Sequence, residues 1–108
     1  MKGSYLGEFE EVVLLTVGVL HDEAYGAGIA DEIERQSGRS VSISAVHATL
    51  NRLQEKGLVT SRMGGATPER GGRRKRLFTV SVAGSRALRD LRELRDNLWN
   101  LIPKTAFE

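Results

Sequence analysis

The chain has no cysteine. Disulfides, thiol nucleophiles and Cys-based zinc or iron sites are therefore excluded, and the absence suits a reducing compartment. It also lacks any apolar run near the roughly 20 residues that a membrane-spanning helix needs. The longest such run, Val12 to Leu20, is interrupted by Thr16 and Gly18, and Glu8, Glu10 and Glu11 before it carry the wrong charge for a signal peptide. A cytoplasmic protein without membrane association is expected. No H-E-x-x-H, no G-x-S-x-G and no Walker-type glycine loop is present, so hydrolytic and nucleophilic catalysis have no support and no cofactor is expected. His21 with Asp22 and Glu23 has the side chains of a metal site, but neighbours in a turn rarely converge on one ion. A His beside a helix C-terminus is favoured by the helix dipole alone, and no metal is expected.

What is present is an ordinary globular composition, 40% hydrophobic and 28% charged over 108 residues, enough for one domain with a modest core. Its charge is unevenly distributed. Residues 1–38 hold eight acidic and two basic side chains, residues 39–76 nine basic and two acidic, and residues 77–108 five basic and four acidic. Such polarity steers polyanions toward the middle segment.

Apolar spacing predicts four helices and a hairpin. Glu8 to Leu20 is so densely apolar that a helix there must be covered on several sides. A second helix is predicted from Gly26 to Gln36, with Ile29, Ala30 and Ile33 buried, Asp31, Glu32, Glu34 and Arg35 outside, and Gly38 ending it. Ser42 is placed as the N-cap of a third, whose stripe is Ile43, Val46, Leu50 and Leu53 and whose end is marked by Lys56 and Gly57. At about 100° per residue, Ser44, His47, Ala48, Asn51 and Glu55 face away from that stripe, with Arg52 at its flank. Leu58 to Met63 and Leu77 to Val82 look like short strands around a glycine-rich tip that ends in Arg73, Arg74, Lys75 and Arg76. Ser81 is placed as the N-cap of a last helix to Leu101. Its apolar residues span an arc of about 160°, within which Leu91, Leu94, Leu98 and Leu101 keep an a/d rhythm. One chain can hardly cover that arc; a second copy could.

A basic hairpin following a helix with a small, polar outer face is the outline of a winged helix-turn-helix, mainly α with a small two-stranded wing. Cations at the wing neutralise phosphates and position the protein, while base edges are read from the helix. Asn51 can bond adenine in a bidentate way and Ser44 can donate or accept. His47 fits a base contact, a phosphate contact or packing, and Arg52 a phosphate or a base. Rival readings are a wing that docks on an acidic protein partner and, more distantly, one that binds an anionic membrane surface.

The chain resembles the PadR family of bacterial transcriptional regulators. The matching residues are the apolar first helix; Ala24-Tyr25-Gly26 with Ile29 and Ile33-Glu34; Ser42 through Leu50-Asn51-Arg52-Leu53 and Lys56-Gly57-Leu58-Val59; and Pro68 to Arg76 running into Leu77-Phe78-Thr79-Val80 and Ala83-Gly84. Two positions depart from the family pattern: His47 stands where Tyr is frequent and Ser81 where Thr is. The resemblance implies a homodimeric repressor on double-stranded DNA at an inverted-repeat operator. Residues 1–82 would bind DNA, through Ser42, Ser44, His47, Asn51, Arg52, Arg70, Arg73, Arg74, Lys75 and Arg76. Residues 83–108 would dimerise, through Leu91, Leu94, Leu98, Trp99, Leu101 and Ile102. Some members of the family hold planar aromatic ligands at the dimer interface, which makes Trp99 and Arg95 candidates for a small aromatic effector; packing of Trp99, with Arg95 stacked on it or paired with an acid, is the alternative.

Overall fold

Helical and alternating periodicities give way to one another along the chain in the order α1 (Glu8–Leu20), a 3-10 turn (His21–Glu23), α2 (Gly26–Ser37), α3 (Ile43–Glu55), β1 (Val59–Met63), β2 (Arg76–Val80) and α4 (Val82–Leu101), followed by a 3-10 turn (Lys104–Phe107). The computed structural model describes residues 5–64 and 75–107. Gly65, Pro68, Arg70, Gly71, Gly72, Arg73 and Arg74 of the wing tip lie outside the described residues.

Serine caps start the helices where the sequence places them. The Ser42 hydroxyl accepts the Ala45 N–H at 3.0 Å, and the Ser81 hydroxyl accepts the Gly84 N–H at 3.0 Å. Such a cap satisfies an otherwise orphan donor of the first turn. Gly38 and Gly57, both in left-handed backbone, close α2 and α3. Helices α1, α2 and α3 then pack around Val13, Leu14, Val17, Ile29, Ile33, Val46, Leu50 and Leu53, all buried. Phe78 of β2 seals this core from the wing side, and its N–H donates to the Ala24 carbonyl at 2.8 Å. The two strands are antiparallel with Val59 opposite Val80, Ser61 opposite Phe78 and Met63 opposite Arg76.

Two local expectations are corrected. Glu32 is buried, not outside, because Arg35 and Gln36 on the next turn of α2 both bond its carboxylate. Ile43, at the first turn of α3, lies beyond the reach of the core and is half exposed, while Thr49 takes a buried place by returning its hydroxyl to the Ala45 carbonyl at 2.9 Å. Helix α1 is covered on several sides, by α2, α3, β2 and the start of α4, and only Leu15 and Val19 among its large apolar residues remain open.

The start of α4 is held tightly. Gly84 packs so close to the Leu58 carbonyl that a β-carbon would overlap it, and the Ser81 hydroxyl donates to the Gly57 carbonyl at 2.7 Å. Only Gly84 and Ala87 of α4 are buried; from Arg92 to its end every residue is exposed. The free half of α4 gives the chain extents of 58 × 31 × 20 Å and a radius of gyration of 16.1 Å, against about 13 Å for a compact domain of this size.

Glu10 ties α1 to the far end of α3. Its carboxylate receives the Gly7 N–H at 2.8 Å and the Lys56 ammonium at 2.9 and 3.1 Å, with the Arg52 guanidinium 3.6 Å away. Burial pushes its pKa up, but the Gly7 N–H, Lys56 and Arg52 together more than offset this and hold it below the usual carboxylate value. Its contribution to stability is complete above about pH 4.3, the unfolded value, and is lost as pH falls through the lower folded value. Glu10→Gln keeps an acceptor for Gly7 but loses the ion pairs, and it is expected to cost about 1 to 3 kcal/mol at pH 7. Urea denaturation across a pH series checks this: the gap between the two proteins should close in acid, and a gap that stayed constant would contradict it.

Candidate nucleic-acid interface

Helix α3 presents Ser44, His47, Ala48 and Asn51 to solvent on one face, opposite its buried stripe. The Ser42 hydroxyl is occupied in the cap and lies 3.3 Å from the Ser44 hydroxyl, so the N-terminal end of this face is a pair of small oxygens. His47 is exposed, yet one side of its ring lies against the backbone of Gly26 at the start of α2. Arg52 turns away from this face. Its Nη2 donates to the Thr49 hydroxyl at 3.2 Å and its Nε lies 3.6 Å from Glu10.

A relay of polar groups joins α3 to the wing. Gln54 Nε2 donates to the Ser61 hydroxyl at 3.2 Å, and Arg76 Nη1 donates to the same oxygen at 3.1 Å. Arg76 thus stands beside the C-terminal end of α3. Lys75, at the root of the wing, places its ammonium 4.0 Å from the centre of the Tyr25 ring, a cation–π contact that fastens the wing to the N-cap of α2. Arg62 on β1 is an exposed cation with no ion pair among the described residues. Gln54, Ser61, Tyr25 and Arg62 were not among the candidate residues drawn from the sequence. Strand alternation is the signal for Arg62, whereas nothing in the spacing of Gln54, Ser61 and Arg76 marks their convergence.

Part of the cationic middle segment is neutralised at home. Arg39 pairs with Glu8 through two bonds of 2.9 and 3.2 Å and covers the Phe9 ring at 5.1 Å, while Arg52 and Lys56 share Glu10. The hydrogen bond and charge of Arg39 lower the Glu8 pKa, and Glu8 raises that of Arg39. Two acids of α1, Glu8 and Glu10, therefore engage three of the bases in residues 39–76, whereas Arg62, Lys75 and Arg76 have no acid partner among the described residues.

At the other end of the molecule, Arg95 pairs with Glu11 of α1 at 2.7 Å and leaves Trp99 unstacked by it. The Trp99 ring instead meets Phe107 at 5.8 Å and is still 66% exposed. Arg95, Asp96, Leu98, Trp99 and Ile102 line a shallow hollow there. Among the described residues no cluster of His, Asp and Glu is arranged to hold a metal ion, and no single helix is long and apolar enough to cross a membrane.

No curated protein matches the sequence. Solved structures do match the fold. They include a PadR family transcriptional regulator from Eggerthella lenta, 20% identical, with 86% of this chain and 80% of that one covered at a TM-score of 0.66. Bacillus subtilis PadR in complex with operator DNA is 20% identical, with 90% of this chain and 51% of that one covered at a TM-score of 0.63. A Streptococcus transcriptional regulator is 17% identical, with 85% of each chain covered at a TM-score of 0.68. At these identities the likeness is one of architecture. The family model of the PadR-like transcriptional regulators, by contrast, matches the sequence itself over residues 14–90, from the buried half of α1 through α3 and the wing into α4. The chain belongs to the PadR-like family of transcriptional regulators.

Proposed function

We propose that the protein binds duplex DNA in the cytoplasm as a homodimer, at an inverted-repeat operator, and represses transcription by occupying it. In this reading residues 1–82 carry the DNA contacts and residues 83–108 the dimer contacts. The observation that carries it is the combination of an exposed small and polar α3 face with wing cations, Arg62, Lys75 and Arg76, that have no acid partner among the described residues. Ser44, His47 and Asn51 are the base-reading candidates. Arg62, Arg70, Arg73, Arg74 and Arg76 are the phosphate contacts, with Lys75 anchoring the wing on Tyr25. Bacillus subtilis PadR, which shares the fold, is held in complex with operator DNA, and that supports DNA as the partner.

Dimerisation is supported by what α4 leaves open. Leu94, Leu98, Trp99 and Leu101 are between 52% and 77% exposed, and Leu15 and Val19 of α1 add to the uncovered apolar surface. A patch of this kind on a small chain marks an interface. A second copy has the right chemistry to cover it, since α4 of each protomer is apolar where the other is. The distance between the two reading heads is then set by α4, and operators of such dimers place half-sites roughly 34 Å apart.

Light scattering is expected to give a dimer for the unmutated chain at micromolar concentration. Leu94→Glu or Leu98→Glu, which would bury a charge at the interface, should give monomer or unfolded chain; a well-folded monomer of the unmutated protein would refute the assembly. Selection from random duplexes should enrich an inverted repeat. Arg62→Ala with Arg76→Ala should weaken selected and random DNA alike and flatten the salt dependence by about one unit of slope per lost phosphate contact. Asn51→Ala and Ser44→Ala should weaken the selected site by about 1 to 3 kcal/mol each if they contact bases. Undiminished affinity of the wing variant at every salt concentration would remove the wing from the interface.

An effector, in this reading, acts at Trp99. A planar aromatic compound in the hollow beside Arg95 would favour one spacing of the heads and lower operator affinity by its differential affinity for the two forms. Quenching of the single tryptophan together with release from DNA is the expected signature; compounds that change neither would leave Trp99 as interface packing.

A further inference from the structure

We infer that Gly26 is a specificity-determining residue: by carrying no side chain it seats the His47 ring against the first turn of α2 and so sets where that imidazole projects from the α3 face. The inference rests on α3 being the helix that contacts DNA.

A β-carbon built on Gly26 would lie 2.9 Å from His47 Cε1 and 3.0 Å from Cδ2, and closer still to Nε2. Carbons do not approach so closely, so ring and β-carbon cannot share the space. Backbone conformation makes no such demand on residue 26. Gly38 and Gly57 are the described glycines with positive φ, and Gly26, the first residue of α2, is in ordinary helical backbone that alanine adopts readily. Alanine there would lower the entropy of the unfolded chain and by itself favour the helix. The steric requirement therefore comes from His47, 21 positions further along and on another helix. Gly26 is buried and His47 is exposed on the remaining side of its ring, the side it shares with Ser44 and Asn51. A side-chain ring can rotate about its two torsions more cheaply than two packed helices can separate. Filling position 26 is accordingly accommodated by swinging the imidazole to another rotamer, which moves its polar nitrogens to a different place on the reading face. Recognition depends on hydrogen bonds to base edges that tolerate little displacement, so a residue that touches no DNA can alter which sequence is chosen.

The experiment uses Gly26→Ala, His47→Ala and the double variant of the full chain, with two readouts. The chain has two histidines, His21 and His47, so the ring resonances of His47 are readily followed by NMR in the absence of DNA. Gly26→Ala is expected to shift them while leaving most of the amide spectrum in place. Discrimination between the enriched duplex and random duplex is the second readout. Gly26→Ala should reduce it by about tenfold, in the range of a lost base contact, His47→Ala should do the same, and the double variant should be no worse than His47→Ala. If Gly26→Ala unfolds the chain and His47→Ala restores it, the clash lies between these two residues as stated. Unmoved His47 resonances, intact discrimination in Gly26→Ala, a double variant that discriminates worse than His47→Ala, or a Gly26→Ala folding defect that His47→Ala does not relieve would each overturn the inference. Were the unmutated chain to discriminate among no duplexes, the DNA reading of α3 would fail, and the ring resonances would still decide whether Gly26 places His47.

Discussion

Backbone meets backbone where the first turn of α4 crosses the end of α3. The Leu58 carbonyl accepts the Ser81 N–H at 3.0 Å, the Leu58 N–H closes back on the Leu53 carbonyl at 2.9 Å, and Gly84 sits against the same Leu58 carbonyl. The Ser81 hydroxyl adds a bond to Gly57. Within these few residues α3 ends, β1 begins and α4 takes its direction. Side chains on either side can repack, but backbone groups in direct contact cannot slide without losing buried hydrogen bonds. The orientation of the wing relative to α3, and of both relative to the exposed half of α4, all descend from this crossing.

Charge is divided between holding the fold together and presenting a surface. Arg39, Arg52 and Lys56 bind the acids of α1 and stiffen the frame on which α3 rests. Arg76 and Lys75 are held by neutral partners, the Ser61 hydroxyl and the Tyr25 ring, so their positive charge remains available while their positions are fixed. A neutral hydrogen-bond acceptor or an aromatic face orients a cation without cancelling it, as a carboxylate would. The same residue type thus serves two ends, and its partner decides which.

Much of the architecture is legible in the sequence because it is set locally. Ser42 and Ser81 bond residues three positions ahead, Gly38 and Gly57 adopt backbone that others avoid, and the stripes of α2 and α3 repeat within a turn. The outward face of α3 follows from the same periodicity. What the periodicity conceals is any contact made over long sequence separation or by a long side chain. Glu32 belongs on an outer face by count, yet the long side chains of Arg35 and Gln36, one turn ahead, bond its carboxylate and it is buried. Arg52 sits at the flank of the outward α3 face by angle, and its reach carries it to Glu10, 42 positions earlier. The relay from Gln54 through Ser61 to Arg76 and the seating of His47 on Gly26 depend on how separate elements pack, which spacing along one element does not encode.

A single residue, Ser81, separates the end of β2 from the start of α4. That junction contains no slack to absorb movement. Trp99 lies 18 residues further along, about 27 Å at the rise of an α-helix, so α4 is a rigid arm with its pivot at the base of the wing. A tilt of a few degrees at the pivot displaces the far end by an ångström or more, and a comparable displacement imposed at the far end returns to the pivot as a small rotation. Mechanical gain of this kind lets a modest rearrangement near Trp99 reach the strand that carries Arg76 without any intervening chain of side-chain contacts.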